Sequence, residues 1–283
     1  MKDSDQTQDI SSQGDYKAKN RTGLTFVVAV NDDRVLQQNL LASPMFTGNV
    51  KYQIIKRLGY ASAAIAYNDA IEEAKNDIVV FVHQDIYFPD NWIAQLEGAL
   101  KYLKAANPSW GVLGCFGSSK GRPGGVGQVY TTGRGIHGNY ISKPEAIETV
   151  DEIVIVIRKS SGLRFDPSLP HFHLYAPDIC LSAREMGLKC FAIQAVCVHN
   201  TNQILNLPKE FFECYHYIKK KWGEYLPIYT SCITISRFDT ELNLRKLRGF
   251  YKRISGKLDE AKRRVDSPET LLNDLRACQK MEF

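Results

Sequence analysis

Three short polar clusters carry side chains with which this chain could do chemistry: Asn31-Asp32-Asp33, His83-Gln84-Asp85 and His199-Asn200-Thr201. Each follows an apolar run, so each falls where a strand would give out. A carboxylate held at such a point can face a divalent cation and an anionic substrate together. Asp85 is the best ligand candidate. Magnesium and manganese prefer oxygen donors and manganese also accepts imidazole, so His83 is compatible with the same ion. Both residues have plainer uses, Asp85 as a turn residue ahead of Pro89 and His83 as a structural histidine, and the residues alone leave these open. Two further acidic positions stand apart: Asp151-Glu152, at the entrance of another apolar run, and Asp178, directly after Pro177.

The elements that must position these groups are legible as periodic patterns. Leu24 to Val30 is an almost continuous apolar run, as expected of a strand buried on both faces. Asn31-Asp32-Asp33 can cap a helix from Arg34 to Leu41, stopped by Ser43-Pro44. Tyr52 to Ile55 reads as a second strand. Tyr60 to Ala74 reads as a helix, with Ala61, Ala64, Ile65, Asn68 and Ile71 on one face. Asn68 is an amide on an apolar stripe, and a buried amide needs a partner, either nearby backbone or a ligand. Asp77 to Val82 predicts a third strand ending in His83-Gln84-Asp85, followed after Pro89 by a helix that buries Trp92, Leu96, Ala99, Leu100 and Leu103. This βαβαβα order predicts a mostly parallel α/β sheet flanked by helices. Ligands of such sheets bind beyond the carboxyl ends of the strands, where the polar clusters fall.

Val112 to Phe116 predicts a fourth strand. The stretch Gly117 to Gly138 is glycine-rich but fits neither a phosphate loop nor a dinucleotide fingerprint. It reads as a mobile lid or acceptor loop. Ile153 to Ile157 and Lys189 to Val198 read as strands, and Asp178 to Met186 as a helix ended by Gly187. From Pro208 the chain is helical and increasingly basic, with Lys219-Lys220-Lys221-Trp222 and the Arg245 to Arg264 region standing out.

Four blocks, in order and spacing, resemble the family 2 glycosyltransferases of GT-A fold, in particular a bacterial capsule or cell-surface polysaccharide type. They are Phe26 to Asp32, Ala66-Tyr67-Asn68-Asp69-Ala70-Ile71, Ile78 to Asp85, and Phe172 to Arg184 followed by Gly187 and His199. The chain departs from the pattern at three places. His83 stands for the first acid of Asp-x-Asp, Lys56-Arg57-Leu58-Gly59 stands where Asp-Asp-Gly-Ser is common, and Pro177 precedes Asp178 where Glu-Asp is common. The resemblance implies a catalytic domain over residues 24–207, preceded by a flexible polar leader (1–23) and followed by a helical basic extension (208–283). It implies inverting, manganese- or magnesium-dependent transfer of a hexosyl or related sugar from a nucleoside diphosphate sugar, expected to be a UDP-sugar, to a glycan or lipid-linked acceptor. In its terms Asp178 is the general base and Asp85, His199 and His83 hold the metal. Asn31, Asp32, Asn68 and Gln84 bind the donor, and Asp151 and Glu152 face the acceptor. Asp178 also suits a plain role as a first-turn aspartate at a helix dipole, and His199 suits a surface role after an edge strand.

Composition narrows the remaining classes. Hydrophobic residues make up 44% and charged residues 24%, an ordinary soluble mixture. No apolar run approaches the ~20 residues of a membrane helix, and the polar first 23 residues lack a signal peptide's core. A cytoplasmic protein is expected. The charge of +5 suits an anionic donor or the inner face of a membrane, reached through the basic C-terminal helices, and falls short of a nucleic-acid binder. Dimerisation through those helices competes with membrane contact. Seven cysteines without a CxxC pair read as free thiols rather than a zinc site. A nucleotidyltransferase would carry a glycine-rich basic loop after its first strand, whereas the first glycine after Val30 is Gly48. A catalytically inactive nucleotide-sugar-binding or scaffold module is the competing reading, supported by His83 and Pro177 standing in place of acids.

Overall fold

The computed structural model describes residues 23–47, 52–203, 207–254 and 262–281, so nearly all of the expected leader lies outside the described residues. Strand β1 (Leu24–Val30) sits inside a seven-stranded sheet, flanked by β2 (Gln53–Leu58) and β3 (Ile78–Val82). Its side chains alternate between two cores: Leu24, Phe26, Val28 and Val30 enter one, and Val27 enters the other. That is why its sequence reads as a continuous apolar run. The sheet continues from β3 through β11 (Val154–Arg158), β5 (Trp110–Gly114) and β12 (Lys189–Ala192) to β9 (Glu145–Ile147). Five strands run one way. β11 and β9 run against their neighbours, so the mostly parallel sheet holds two reversed strands.

Helices cover both faces. α1 (Asp33–Gln38) and α3 (Trp92–Ala106) pack on the Phe26 side, and α2 (Ala63–Glu73) and α4 (Tyr175–Glu185) on the Val27 side. Asp32 caps α1 by accepting from the Val35 amide, and Ser62 caps α2 through the Ile65 amide. α3 buries Trp92, Leu96, Ala99 and Leu103 at helical spacing, as expected from the pattern.

The stretch expected to be a mobile lid is instead most of a second sheet. It holds β10 (Thr149–Val150), β6 (Phe116–Ser118), β7 (Val126–Thr131), β13 (Val198–His199) and β4 (Ile86–Tyr87) in that order, with β8 (Gly135–Asn139) also paired to β7. Its glycines serve close packing. Gly127 has φ +78, and a Cβ there would lie 2.2 Å from the Cys115 carbonyl oxygen. Gly138 has φ +95, and a Cβ there would lie 2.1 Å from the Gly127 carbonyl oxygen. The expected single strand from Lys189 to Val198 is divided between the two sheets, as β12 and β13. That change of sheet carries His199 to the site.

The C-terminal region is not a loose appendage. α5 (Lys209–Lys221) buries Phe211, Cys214, Tyr215 and Ile218 in the main core. A short hairpin, β14 (Ile228–Tyr229) with β15 (Thr234–Ile235), leads to α6 (Thr240–Ile254). α7 (Pro268–Met281) then packs Leu271, Leu272 and Leu275 against Tyr87, Tyr130, Val196 and Val198 of the second sheet region. No helix among the described residues is long and apolar enough to cross a membrane.

Candidate functional site

The end of β3 meets the end of β13. His83 follows β3 directly, and its amide donates to the Ile153 carbonyl at 3.1 Å. Antiparallel pairing of β4 with β13 sets His199 opposite Ile86, and the Asn200 amide closes the junction on the Asp85 carbonyl at 2.9 Å. Asn200 is itself buried and gives its side-chain amide to Asn39 and to the Val265 carbonyl. Two chain segments far apart in sequence are thereby locked together. One ligand atom from each of His83, Asp85 and His199 falls within 4.8 Å of the others.

The three side chains are electrostatically linked to one another and to Arg264. His199 Nε2 lies 3.4 Å from Asp85 Oδ1, and an Arg264 guanidinium nitrogen lies 3.2 Å from Asp85 Oδ2. Burial alone would raise the Asp85 pKa, but His199, His83 and Arg264 hold the carboxyl well below its usual range. Burial would lower His199, yet the Asp85 carboxylate prevails and raises it. Burial lowers His83, which keeps it neutral, the form that binds metals. His83 Nε2 is held by the Tyr175 hydroxyl at 2.7 Å, and an imidazole fixed through one nitrogen can offer the other. Two imidazoles and a carboxylate form a donor set that fits manganese.

Two cavities meet at this triad. The larger, of about 860 Å³, lies beyond β1 and β2 and takes in Asn31, Asp32, Arg57, Gln84 and Arg264. Gln84 Oε1 accepts from the Asn31 and Asp32 amides at 3.1 and 3.2 Å, and its amide nitrogen donates to Asn31 Oδ1. The second, of about 580 Å³, takes in Arg134, His137, Asp151, Glu152 and Arg245. His83 and Asp85 line both. Asp151 accepts from the Ile153 amide through Oδ1. Burial first, and then the Asp151 charge, push Glu152 up to about 8, although the Leu174, Tyr175 and Ala176 amides oppose them.

Two expected site residues are placed elsewhere. Asn68 donates to the Phe165 carbonyl at 2.7 Å and accepts from the Phe165 amide at 2.9 Å, so its amide pins a loop and lines neither cavity. Asp178 has a side chain only 1% exposed, and its Oδ1 accepts from Lys221 Nζ and Trp222 Nε1, each at 2.7 Å. Desolvation raises its pKa. It anchors α5 to α4 and is not among the residues that line these two cavities. Sequence reasoning missed Arg264, which lies 179 positions from Asp85 with no local signal to connect them. It also did not single out Arg134, which lies in the stretch read as a mobile lid or acceptor loop.

Comparison with known proteins bears on the fold and the family. A curated protein from Fuscovulum blasticum, described as "ATP synthase subunits region ORF 6", is 27% identical over 135 residues; that match takes in 45% of this chain and 53% of the relative, about half its length. The solved structure of GalNAc-T7 with UDP, GalNAc and Mn2+ superposes with a TM-score of 0.51 at 10% identity, over 81% of this chain and 55% of that one, and shows the GT-A fold. The mannosyltransferase PcManGT from Pyrobaculum calidifontis, in complex with GDP-Man and Mn2+, gives a TM-score of 0.41 at 15% identity over 63% and 56% of the two chains. A model of the glycosyltransferase-like family matches residues 25–220, more than half of the sequence, and the chain belongs to that family.

Proposed function

We propose that the protein transfers a sugar from a nucleoside diphosphate sugar, preferentially a UDP-sugar, to a glycan or lipid-linked acceptor, with inversion and with help from a divalent cation. The observation that carries this is the clustering of His83, Asp85 and His199 where two cavities meet, with His83 and Asp85 on the wall that the cavities share and His199 lining the smaller one. The solved structure with UDP, GalNAc and Mn2+ supports the same pairing of nucleotide and ion. The larger cavity is assigned to the donor. Asn31 and Asp32, held by Gln84, face the nucleoside, and Arg57 and Arg264 supply positive charge for the diphosphate. His83, Asp85 and His199 would hold manganese or magnesium, which would neutralise charge on the departing diphosphate.

The smaller cavity is assigned to the acceptor. There Asp151 replaces Asp178 as the proposed general base, because it lines the cavity assigned to the acceptor and, among the described residues, its carboxylate accepts a single hydrogen bond, from the Ile153 amide. It takes the proton of the acceptor hydroxyl as that oxygen bonds to the anomeric carbon and the bond to the diphosphate oxygen breaks. Glu152 beside it is largely protonated near neutral pH and serves as a hydrogen-bond donor to the acceptor. The protein works in the cytoplasm and meets its acceptor at the inner face of a membrane.

The test is donor turnover with a panel of nucleoside diphosphate sugars and manganese, following release of nucleotide. The parent is expected to consume one donor class. Asp151→Asn is expected to lose about 100-fold or more in turnover, the range of a lost general base, with donor affinity unchanged. Full activity in that variant would return the base assignment to another residue.

A further inference from the structure

Helix α6 has two unlike faces. It meets the body of the protein through Leu242, which is buried, through Arg245, which donates to the Cys232 carbonyl, and through Lys246, whose ammonium sits 4.7 Å above the Phe212 ring. Turned away from these contacts are Leu244, Leu247, Phe250, Tyr251 and Ile254. At 100° per residue these five share an arc of about 120°. All are exposed: Leu247 at 64%, Phe250 at 62%, Tyr251 and Ile254 at 70%. Phe238, just before the helix, is 81% exposed. Together these are half of the twelve large apolar side chains exposed among the described residues. A contiguous apolar face of this kind marks an interaction surface rather than ordinary surface scatter.

Charge decides what covers it. The sequence of α6 carries five basic residues, Arg245, Lys246, Arg248, Lys252 and Arg253, against one acid, Glu241. A second copy meeting the same face would bring a like excess of positive charge against it. An anionic lipid surface takes both features at once, seating the apolar arc among acyl chains and the cations among headgroups. The face also has a functional address, since Arg245 of the same helix lines the smaller cavity with His83 and Asp85. We infer that α6 is an interfacial helix that lays the exposed Leu247-Phe250-Tyr251-Ile254 face on an anionic membrane and brings the smaller cavity to the bilayer surface. This deepens the membrane placement proposed above and rests on it; vesicle binding is read without sugar transfer, so its failure and a failure of the transfer reading are distinguishable.

The experiment is co-sedimentation of the full chain with vesicles of phosphatidylcholine alone and with vesicles of equal parts phosphatidylcholine and phosphatidylglycerol. It is run on the parent, on Leu247→Glu with Phe250→Glu, and on Arg248→Glu. All three positions are solvent-facing, and circular dichroism confirms that each variant is folded. The expected result is binding to the anionic vesicles only, weakened by salt, reduced about tenfold or more by the double substitution and less by Arg248→Glu. Failure of the parent to bind anionic vesicles would overturn the inference, as would equal binding by the double variant. So would a parent that sediments as a dimer in lipid-free solution and becomes a monomer on the double substitution, because the face would then be an interface between copies.

Discussion

Two carboxyl groups show how far a side chain's environment, rather than its position in a motif, decides its use. Asp178 sits in the first turn of α4, where a resemblance to known transferases puts a base, yet Lys221 and Trp222 close over it. It behaves as a structural anchor. Asp178→Asn is expected to lower stability by about 3 kcal/mol, the low end for breaking a buried ion pair because Lys221 is partly exposed, while donor turnover in the surviving folded protein stays near that of the parent. A melting curve and a turnover assay on one sample check both halves. Glu152, like Asp178 at Oδ2, has a carboxyl oxygen, Oε1, buried without a partner, but no cation pairs with its other oxygen among the described residues. Its pKa is raised from 4.5 to about 8, so the folded state holds a proton that the unfolded chain has already released. The stability this contributes is full below pH 4.5 and is lost as pH rises towards about 8. Glu152→Gln keeps the neutral shape and removes that slope. Its stability is expected to exceed that of the parent at pH 8 by something on the order of 2–4 kcal/mol, and to match it at pH 5, in denaturant titrations.

At the scale of elements, patterns that depend on near neighbours were legible and those that depend on distant ones were not. β1, β3 and α3 follow directly from their apolar periodicity, and with them the placing of Asn31, Gln84 and Asp85 at strand ends. The second sheet was read as a loop because its strands are glycine-rich and short, which hides the alternation that marks a strand. The reason for those glycines is a clash with main-chain atoms from another part of the chain, which no local window contains. Gly127→Ala is therefore expected to destabilise the fold by about 2–4 kcal/mol, from left-handed strain plus overpacking against the Cys115 carbonyl. Thermal unfolding measures it. An unchanged midpoint would return this stretch to the status of a mobile loop. The pinning of Asn68 to Phe165 and of Asp178 to Lys221 and Trp222 escaped the sequence for the same reason.

Across the whole molecule, the site exists because two sheets end at one place and the C-terminal region returns to it. His83 and Asp85 follow a strand of the first sheet, His199 comes with the second, and Arg264 arrives from the far end of the chain. α7 holds that return through Leu271, Leu272 and Leu275. Residues 208–283, read from sequence as a helical extension of the catalytic unit, include α5, which buries side chains in the main core, and α7, which packs on the second sheet. The two cavities and the His83, Asp85 and His199 cluster are thus one arrangement, and the proposal at its centre is that these three residues hold a cation which in turn holds a nucleoside diphosphate. The most direct measurement is calorimetric titration of the full chain with UDP, GDP and CDP, each with manganese and with EDTA, repeated on Asp85→Ala. Manganese-dependent binding of one nucleotide, strongest for UDP, abolished by EDTA and lost in the variant, is expected. Absence of binding to every nucleotide by folded parent protein, or binding that persists in EDTA and in Asp85→Ala, would contradict it.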